Sequence, residues 1–338
     1  MSRLKYVLTE LEITQEQSKD KEIQDFVVSF AGRKYSGDWI QYKNGNAWIE
    51  INIKNGTSIR TMLHDDPYVA EFPENIDMEI SKQCRNNCKF CYAGCSPFGK
   101  HADIKKFTED KNSFLHTLNA GTEVALNGNT PLHPDLELLL KFCKERKVLA
   151  NLTVHELTLV KYKKQLEKWL KEGLIHGIGI SPHSYSEEMV EFCKNNPTSV
   201  LHTIVGITTP RELDLVSNKG LKLLILGYKD FGRGSKYLNE HDNTINSNTC
   251  WLKENIKNII NQFEVVSFDN LAIEQLKVEN ILSKKDWDTF YRGDDGSHTV
   301  FVDLVNETFA KNSMQPKENH FKLLNSAKDI LQEIHKLK

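Results

Sequence analysis

The chain has 338 residues, of which 39% are hydrophobic and 27% are charged, and its formal net charge is -2 at pH 7. This composition is typical of a globular protein with a sizeable core, and it excludes a global basic field that would favour nucleic acid. The longest apolar runs, such as 223–226, are too short to cross a membrane, and the N-terminus lacks the apolar core of a signal peptide. We therefore expect a cytoplasmic protein without membrane or nucleic-acid partners.

Residues 1–72 are predicted to form an accessory region rich in β-strands. Short strand-like runs cover 26–28, 40–42, 48–53 and 58–62. Asn44-Gly45 and Asn55-Gly56 separate the last three runs, and Asn-Gly is the strongest short-range signal for a β-hairpin. The sequence therefore predicts a small antiparallel meander, which either is a structural appendage, covers the following domain or docks a partner.

Residues 73–270 show a different pattern, in which strands alternate with helices. Capping boxes, Ser184 with Glu187 and Thr209 with Glu212, indicate where two of the helices begin. A long loop is expected after the sixth strand. Such alternation predicts parallel strands with right-handed crossovers. The predicted strands are 76–80, 124–126, 149–155, 175–181, 200–205 and 221–226.

Three cysteines follow the first of these strands with the spacing C-x3-C-x2-C. They are Cys84, Cys88 and Cys91, and Cys95 comes four residues later. Thiolates are the usual ligands of iron–sulfur clusters, and three on one loop can hold a [4Fe–4S] cube with one iron left open. A four-cysteine zinc knuckle that includes Cys95 is the alternative, although zinc sites usually consist of two separated cysteine pairs. The absence of a secretory signal favours metal binding over disulfides.

The cysteine spacing, with Phe90 directly before the last cysteine, resembles the signature of radical S-adenosylmethionine (radical SAM) enzymes. The resemblance covers about 73–270 and implies a partial (β/α)6 barrel whose cysteine loop lies at the C-terminal ends of the strands. It also implies that SAM binds the open iron. An electron from an external donor of the flavodoxin or ferredoxin type would then split SAM into methionine and a 5′-deoxyadenosyl radical. The motif 98–104 resembles a motif in bacterial and phage members of this family whose substrate is not assigned.

The resemblance further implies which residues contact SAM. The loop Asn127-Gly128-Asn129-Thr130-Pro131 lies where the family often carries Gly-Gly-Glu-Pro, so Asn129 replaces the acid. Polar residues alternate along the third strand and are expected to face the barrel interior, although His155 could instead cap the next helix. Arg233 could bind a carboxylate or phosphate. The remaining expected SAM contacts are Phe90, Tyr92, Asn151, Thr153, Ser181, Gly206, Gly227 and Tyr228.

Residues 271–338 are predicted to form a C-terminal α/β extension with a strand at 299–304 and a terminal helix. Cys250 could donate a hydrogen atom to a substrate radical, or it is a packed cysteine at the start of a helix. Asp294 and Asp295 could bind a cationic or hydroxyl group, or they belong to an ordinary turn. Because only Cys250 lies beyond residue 193, no cysteine-rich domain of the SPASM type for auxiliary clusters is expected.

The expected function is hydrogen abstraction from a substrate by a radical SAM enzyme with one [4Fe–4S] cluster. A peptide or protein is the first expectation for the substrate, because the meander and the C-terminal extension could shape an open barrel mouth. A small metabolite or a nucleoside or RNA is the alternative within the same chemistry. A non-catalytic module that binds zinc or an iron–sulfur cluster through four cysteines is the alternative of another class.

Overall fold

The computed structural model describes residues 7, 10–14, 16–62, 66–127 and 130–337. Within it the chain divides into two units, Met1–Glu71 and Phe72–Lys338. The boundaries expected near residues 72 and 270 stay predictions.

The first unit contains a helix and a three-stranded antiparallel sheet. Helix α1 spans Lys21–Ser36, and the strands are β1 Trp39–Asn44, β2 Ala47–Asn52 and β3 Ser58–Met62, in the order β1-β2-β3. The predicted antiparallel meander is therefore confirmed.

The strand predicted at 26–28 is wrong, because these residues belong to α1. The Asp20 side chain caps the helix by accepting hydrogen bonds from the backbone N–H groups of Glu22 and Ile23. Val27, Phe30 and Ala31 are buried, and they repeat at i, i+3 and i+4 as on one face of a helix. The short apolar run looks like a strand only when the residues after it are ignored.

The second unit is built on a sheet that has ten strands among the described residues. Seven parallel strands lie side by side in chain order, β11 pairs in parallel with β4 on its other side, and two antiparallel strands follow. The predicted mixed α/β fold with a large parallel sheet is confirmed, and the C-terminal strand joins the same sheet. The strands are β4 Asn75–Glu79, β5 Glu123–Asn127, β6 Leu149–His155, β7 Gly177–Ser181, β8 Ser199–Ile204, β9 Lys222–Leu226, β10 Val265–Phe268, β11 Thr299–Asp303, β12 Thr308–Ala310 and β13 Phe321–Lys322.

Helices connect most of these strands. In the described part of the chain, no helix is both long and apolar enough to cross a lipid bilayer. The helices of this unit are α2 Ile104–Glu109, α3 Leu136–Glu145, α4 Glu156–Lys171, α5 Glu187–Asn195, α6 Pro210–Asp214, α7 Arg233–Ile260, α8 Asn270–Leu276, α9 Lys284–Phe290 and α10 Ala327–His335.

Two predicted helix starts need correction, while the capping box at Thr209 and Glu212 is confirmed. Helix α5 is capped by Ser186 rather than Ser184. The buried Glu156 carboxylate accepts hydrogen bonds from the backbone N–H groups of residues 183–186, which keeps that segment out of the helix. The predicted long loop after β9 is also wrong, because α7 already begins at Arg233.

The two faces of the parallel sheet differ in chemistry. Strands that advance in one direction with right-handed crossovers carry their helices on a single face, and this face is apolar and buried. The opposite face carries polar and small residues that are half-buried. The apolar face includes Ile76, Met78, Val124, Leu126, Leu152, Val154, Ile178, Ile180, Leu223 and Ile225, and the polar face includes Asp77, Glu123, Asn151, Thr153, His155, Gly177, Gly179, Ser181 and His202.

The sheet curves so that its polar face is concave. A Cβ atom added at Gly232, after β9, would lie 2.3 Å from the carbonyl oxygen of Tyr92, after β4. In a flat sheet, five strand spacings of about 4.8 Å would hold β9 and β4 about 24 Å apart. On the polar face, Asp77 of β4 also interacts electrostatically with Asp269, which follows β10. The ends of the sheet are therefore drawn together around the polar face.

Candidate active site

The three clustered cysteines lie on a loop that leaves the C-terminal end of β4 and is held closed by hydrogen bonds. The imidazole of His101 contacts the Ser81 hydroxyl at 2.9 Å and the Gln83 side-chain oxygen at 2.8 Å. The backbone N–H of Cys84 donates to the carbonyl of Ser96 at 2.9 Å. The start and the end of the loop are thus joined by hydrogen bonds, and the three cysteines lie on the backbone between them.

Cys84, Cys88 and Cys91 are free, half-exposed thiols that lie near one another. Burial, and then the charges of Cys91 and Cys84, raise the pKa of Cys88. In the part of the chain that the structure describes, no group of three or more His, Cys, Asp or Glu side chains is arranged to hold a single metal ion. The donor set nevertheless suits an iron–sulfur cluster, because three neighbouring thiols share one accessible loop.

Cys95 lies beside this trio. It is buried and lies close enough to Cys91 for the two thiols to interact. This interaction lowers the pKa of Cys91 and raises that of Cys95. A fourth thiol therefore lies next to the trio, although the four thiols are not arranged around one point as a bound zinc ion would need.

Arg233, the first residue of α7, donates three hydrogen bonds to the backbone of the cysteine loop. Its guanidinium donates to the carbonyl oxygens of Cys88 at 3.0 Å and Cys95 at 2.8 Å, and its backbone N–H donates to that of Cys91 at 3.1 Å. Two guanidinium donors are thus used to fix the loop, and the expected role of Arg233 in binding a ligand carboxylate or phosphate stays a prediction. A guanidinium suits this task because it presents several donors in one plane.

Aromatic rings complete the contact between the cysteine loop and the segment after β9. The Phe90 and Tyr237 ring centroids are 5.8 Å apart, and those of Tyr92 and Phe231 are 5.5 Å apart, both edge to face. The Lys229 ammonium lies 4.0 Å from the centroid of the Tyr92 ring, a cation–π distance. Phe90 and Tyr92, which were expected to contact SAM, thus each use a ring for packing.

Titratable groups line the concave polar face next to this loop. Burial raises the pKa of both Asp77 and Glu123, and the side-chain amide of Asn151 donates to Glu123 at 3.3 Å. Lys229 lies near Asp77. Burial disfavours its ammonium form, but Tyr92 and Asp77 outweigh this effect and the pKa of Lys229 is raised. The face therefore offers a mixed set of carboxyl, amide and ammonium groups to a polar ligand.

His202 is a residue of this face that sequence reasoning missed. A Cβ added at Gly179 of the neighbouring strand would lie 2.1 Å from His202 Cε1, so the imidazole lies directly across the glycine. Burial lowers the pKa of His202 to about 4, which makes the ring neutral at pH 7. The signal in the sequence was the glycine at position 179, which leaves room beside β8 on the same face as Asn151 and Thr153.

The structure distributes the predicted SAM contacts over three environments. Asn151, Thr153 and Ser181 lie on the polar face, where Asn127 ends β5 and Pro131 follows, whereas Gly128 and Asn129 fall outside the described residues. Gly206 packs closely under α7, and its carbonyl accepts from the Asn248 side chain. Gly227 and Tyr228 bond through their backbones to Asp269 and Gln275, and Tyr228 is buried. His155 caps α4, as one of its two interpretations predicted.

The three residues proposed for substrate chemistry have different surroundings, and Asp295 interacts electrostatically with Asp77 of the polar face. Cys250 is exposed in the middle of α7. Asp294 accepts a hydrogen bond from the Tyr291 hydroxyl. Asp295 accepts from the side-chain amides of Asn270 at 2.8 Å and Asn312 at 2.7 Å. The catalytic roles of these three residues stay predictions.

Comparison with known proteins shows distant structural similarity. No protein family model matches the chain, and no curated protein matches it. Among solved structures, the chain is similar to the crystal structure of BtrN in complex with AdoMet and 2-DOIA, with 10% sequence identity, 74% of each chain covered and a TM-score of 0.23. So distant a likeness assigns neither a fold nor an activity to this chain.

Proposed function

We propose that the chain is a radical SAM enzyme that would hold a [4Fe–4S] cluster on Cys84, Cys88 and Cys91. The observation that carries this proposal is three adjacent free thiols on a loop at the C-terminal end of the first strand of a parallel sheet in chain order. Functional sites of parallel α/β folds lie at this end of the strands. We also propose that the curved sheet is a partial (β/α)6 barrel, and the approach of Gly232 to Tyr92 supports this.

The cluster, when bound, would supply the electron that splits SAM into methionine and a 5′-deoxyadenosyl radical, which then takes a hydrogen atom from the substrate. The chain's own residues would orient the reactants. Arg233 fixes the backbone of the cysteine loop, and the rings of Phe90 and Tyr92 pack the loop against the segment after β9. A loop fixed in this way would hold the reactants in one orientation.

The concave polar face would hold the polar groups of SAM and the substrate. Asn151, Thr153 and Ser181 belong to this face, as do the carboxyl groups of Asp77 and Glu123. For the substrate we propose a peptide or protein side chain, with a small metabolite or a nucleoside or RNA as the alternative. A cytoplasmic location and an external donor of the flavodoxin or ferredoxin type complete the proposal, because free thiols persist in a reducing compartment.

A second candidate function is a non-catalytic module with zinc or an iron–sulfur cluster on four cysteines. The position of the buried Cys95 beside Cys91 favours it, because it brings a fourth thiol to the trio. Four protein thiolates would complete a tetrahedral zinc site.

Anaerobic reconstitution of the chain with iron and sulfide separates the two candidates. We expect a brown protein that cleaves SAM when reduced with dithionite, and we expect Cys95→Ala to retain both properties while Cys84→Ala loses both. A colourless protein with one tightly bound zinc, which the Cys95→Ala variant fails to retain, would instead establish the four-cysteine module.

A further inference from the structure

The side chain of Phe98 is almost fully exposed close to the cysteine trio. It is 95% exposed, more than any other large hydrophobic residue for which the structure gives an exposed surface. It lies two residues after Ser96, whose carbonyl accepts the Cys84 N–H, so its Cα is within about 7 Å of that of Ser96. An exposed aromatic ring at such a position is a candidate contact for a partner protein.

Phe98 is mounted on a rigid turn. Its backbone N–H donates to the Ser96 hydroxyl, and the Gln83 side chain donates to the carbonyl of Pro97 at 3.0 Å. A Cβ at Gly99 would lie 1.9 Å from the carbonyl oxygen of Lys82, so the turn is pressed against the start of the cysteine loop. The backbone that carries the ring is therefore already ordered before a partner covers it, which reduces the entropy cost of binding.

The surroundings of Phe98 are basic. Residues 82–106 contain six Lys or Arg residues and a single acid, Asp103, in a chain whose net charge is -2. Within the described residues, Lys82, Lys105 and Lys106 have carboxylate partners, whereas no ion pair is found for three exposed cations. These are Arg85, Lys89 and Lys100. An exposed ring on a loop segment that also carries exposed cations fits an acidic protein surface.

We propose that Phe98 and the exposed cations Arg85, Lys89 and Lys100 form the docking surface for a small acidic one-electron carrier protein. The proposal rests on the proposed function, because a carrier is needed only if the cysteine trio holds a redox cluster. The carrier gives up one electron and is left oxidised by one electron, and the cluster accepts that electron. Opposite charges steer the carrier to the face of the loop, and Phe98 anchors it there.

The test measures the affinity of the reconstituted enzyme for a purified acidic flavodoxin, by biolayer interferometry at low and high salt. Phe98→Ala should weaken binding about tenfold, as expected for the loss of a central aromatic contact worth more than 1 kcal/mol. Lys100→Glu should weaken binding and reduce its dependence on salt, because it removes an attraction and adds a repulsion. The matched controls are Phe290→Ala, which removes a ring that is 70% exposed on α9, and Lys164→Glu on α4.

Cleavage of SAM with dithionite separates this proposal from the proposed function. Both surface variants should retain dithionite-driven cleavage and iron content while flavodoxin-driven cleavage falls. The docking surface is overturned if wild type does not bind flavodoxin, if Phe98→Ala and Phe290→Ala bind it equally well, or if dithionite-driven cleavage falls to the same extent. If the wild type binds flavodoxin but does not cleave SAM with dithionite, the proposed function fails and the docking result stands separately.

Discussion

At the scale of single residues, the contact between His202 and Gly179 determines how one side of the polar face is arranged. The imidazole occupies the space that a side chain at position 179 would fill. Burial there lowers the pKa of His202 to about 4, so the folded state favours the neutral ring. The stabilisation that this contact contributes is fully present above the ordinary pKa of about 6.5 and is lost as the pH falls towards 4.

We therefore expect that Gly179→Ala moves the imidazole towards solvent and raises the pKa of His202 towards its ordinary value. The imidazole signal, assigned by its absence in His202→Gln, should titrate near pH 4 in wild type by NMR. Gly32→Ala is the matched control, since a Cβ at that position meets no atom within 4 Å. A wild-type His202 that titrates near its ordinary pKa of about 6.5 would contradict the buried placement.

At the scale of elements, the start of α7 adds hydrogen bonds from a distant part of the sequence to those that the cysteine loop makes within itself. Arg233 donates to backbone carbonyls at Cys88, Cys91 and Cys95. Because a lysine lacks the planar fork of donors, Arg233→Lys should lose at least one of the guanidinium hydrogen bonds. One such bond contributes about 1 kcal/mol, enough to speed exchange through local opening about fivefold.

This expectation is measured by hydrogen exchange of the backbone amides of residues 84–95 in the protein without added iron. Arg211→Lys, on the exposed surface of α6, is the control. Faster exchange of residues 84–95 in Arg233→Lys, but not in Arg211→Lys, would support the role of Arg233 in fixing the cysteine loop. Unchanged exchange in both variants would show that hydrogen bonds elsewhere hold the loop.

The elements that sequence patterns predicted well are those in which local signals agree. The strand β6 and the capping box at Thr209 match the structure because alternation and capping act within a few residues. The start of α7 was missed because Arg233 there bonds to the cysteine loop, which is distant in the sequence. Cys95 and Arg233 are 138 positions apart. Ser184 was misassigned as a cap because the carboxylate that holds it, Glu156, is equally non-local.

In the candidate site, too, features set by local sequence were predicted and features set by distant contacts were not. The spacing of Cys84, Cys88 and Cys91 is local and could be read directly from the sequence. Neither the position of His202 nor the exposure of Phe98 could be, because each depends on neighbours that only the folded sheet and loop supply. Non-local contacts therefore account for what the pattern missed.

At the scale of the whole second unit, Asp295 links segments that belong to opposite ends of the sheet. Its carboxylate accepts one hydrogen bond from Asn270, which follows β10, and one from Asn312, which follows β12. In the strand order, β10 and β12 are separated by seven other strands. A single side chain can bridge them only because the sheet curves.

We expect Asp295→Ala to lower the free energy of unfolding by about 2 kcal/mol. Two hydrogen bonds to the carboxylate are lost, and the side-chain amides of Asn270 and Asn312 lose this acceptor. Asp294→Ala should lower it by less than about 1 kcal/mol, because that exposed neighbour bonds locally to Tyr291. Urea unfolding at pH 7 measures both. Loss of the bridge in Asp295→Ala should also make the amides of β10 exchange faster, because this edge strand pairs with β9 on one side and no strand pairs with it on the other side in the described sheet. Equal loss of stability in the two variants would mean that the sheet ends are held together without Asp295, and that closure depends on the contact of Gly232 with Tyr92 instead.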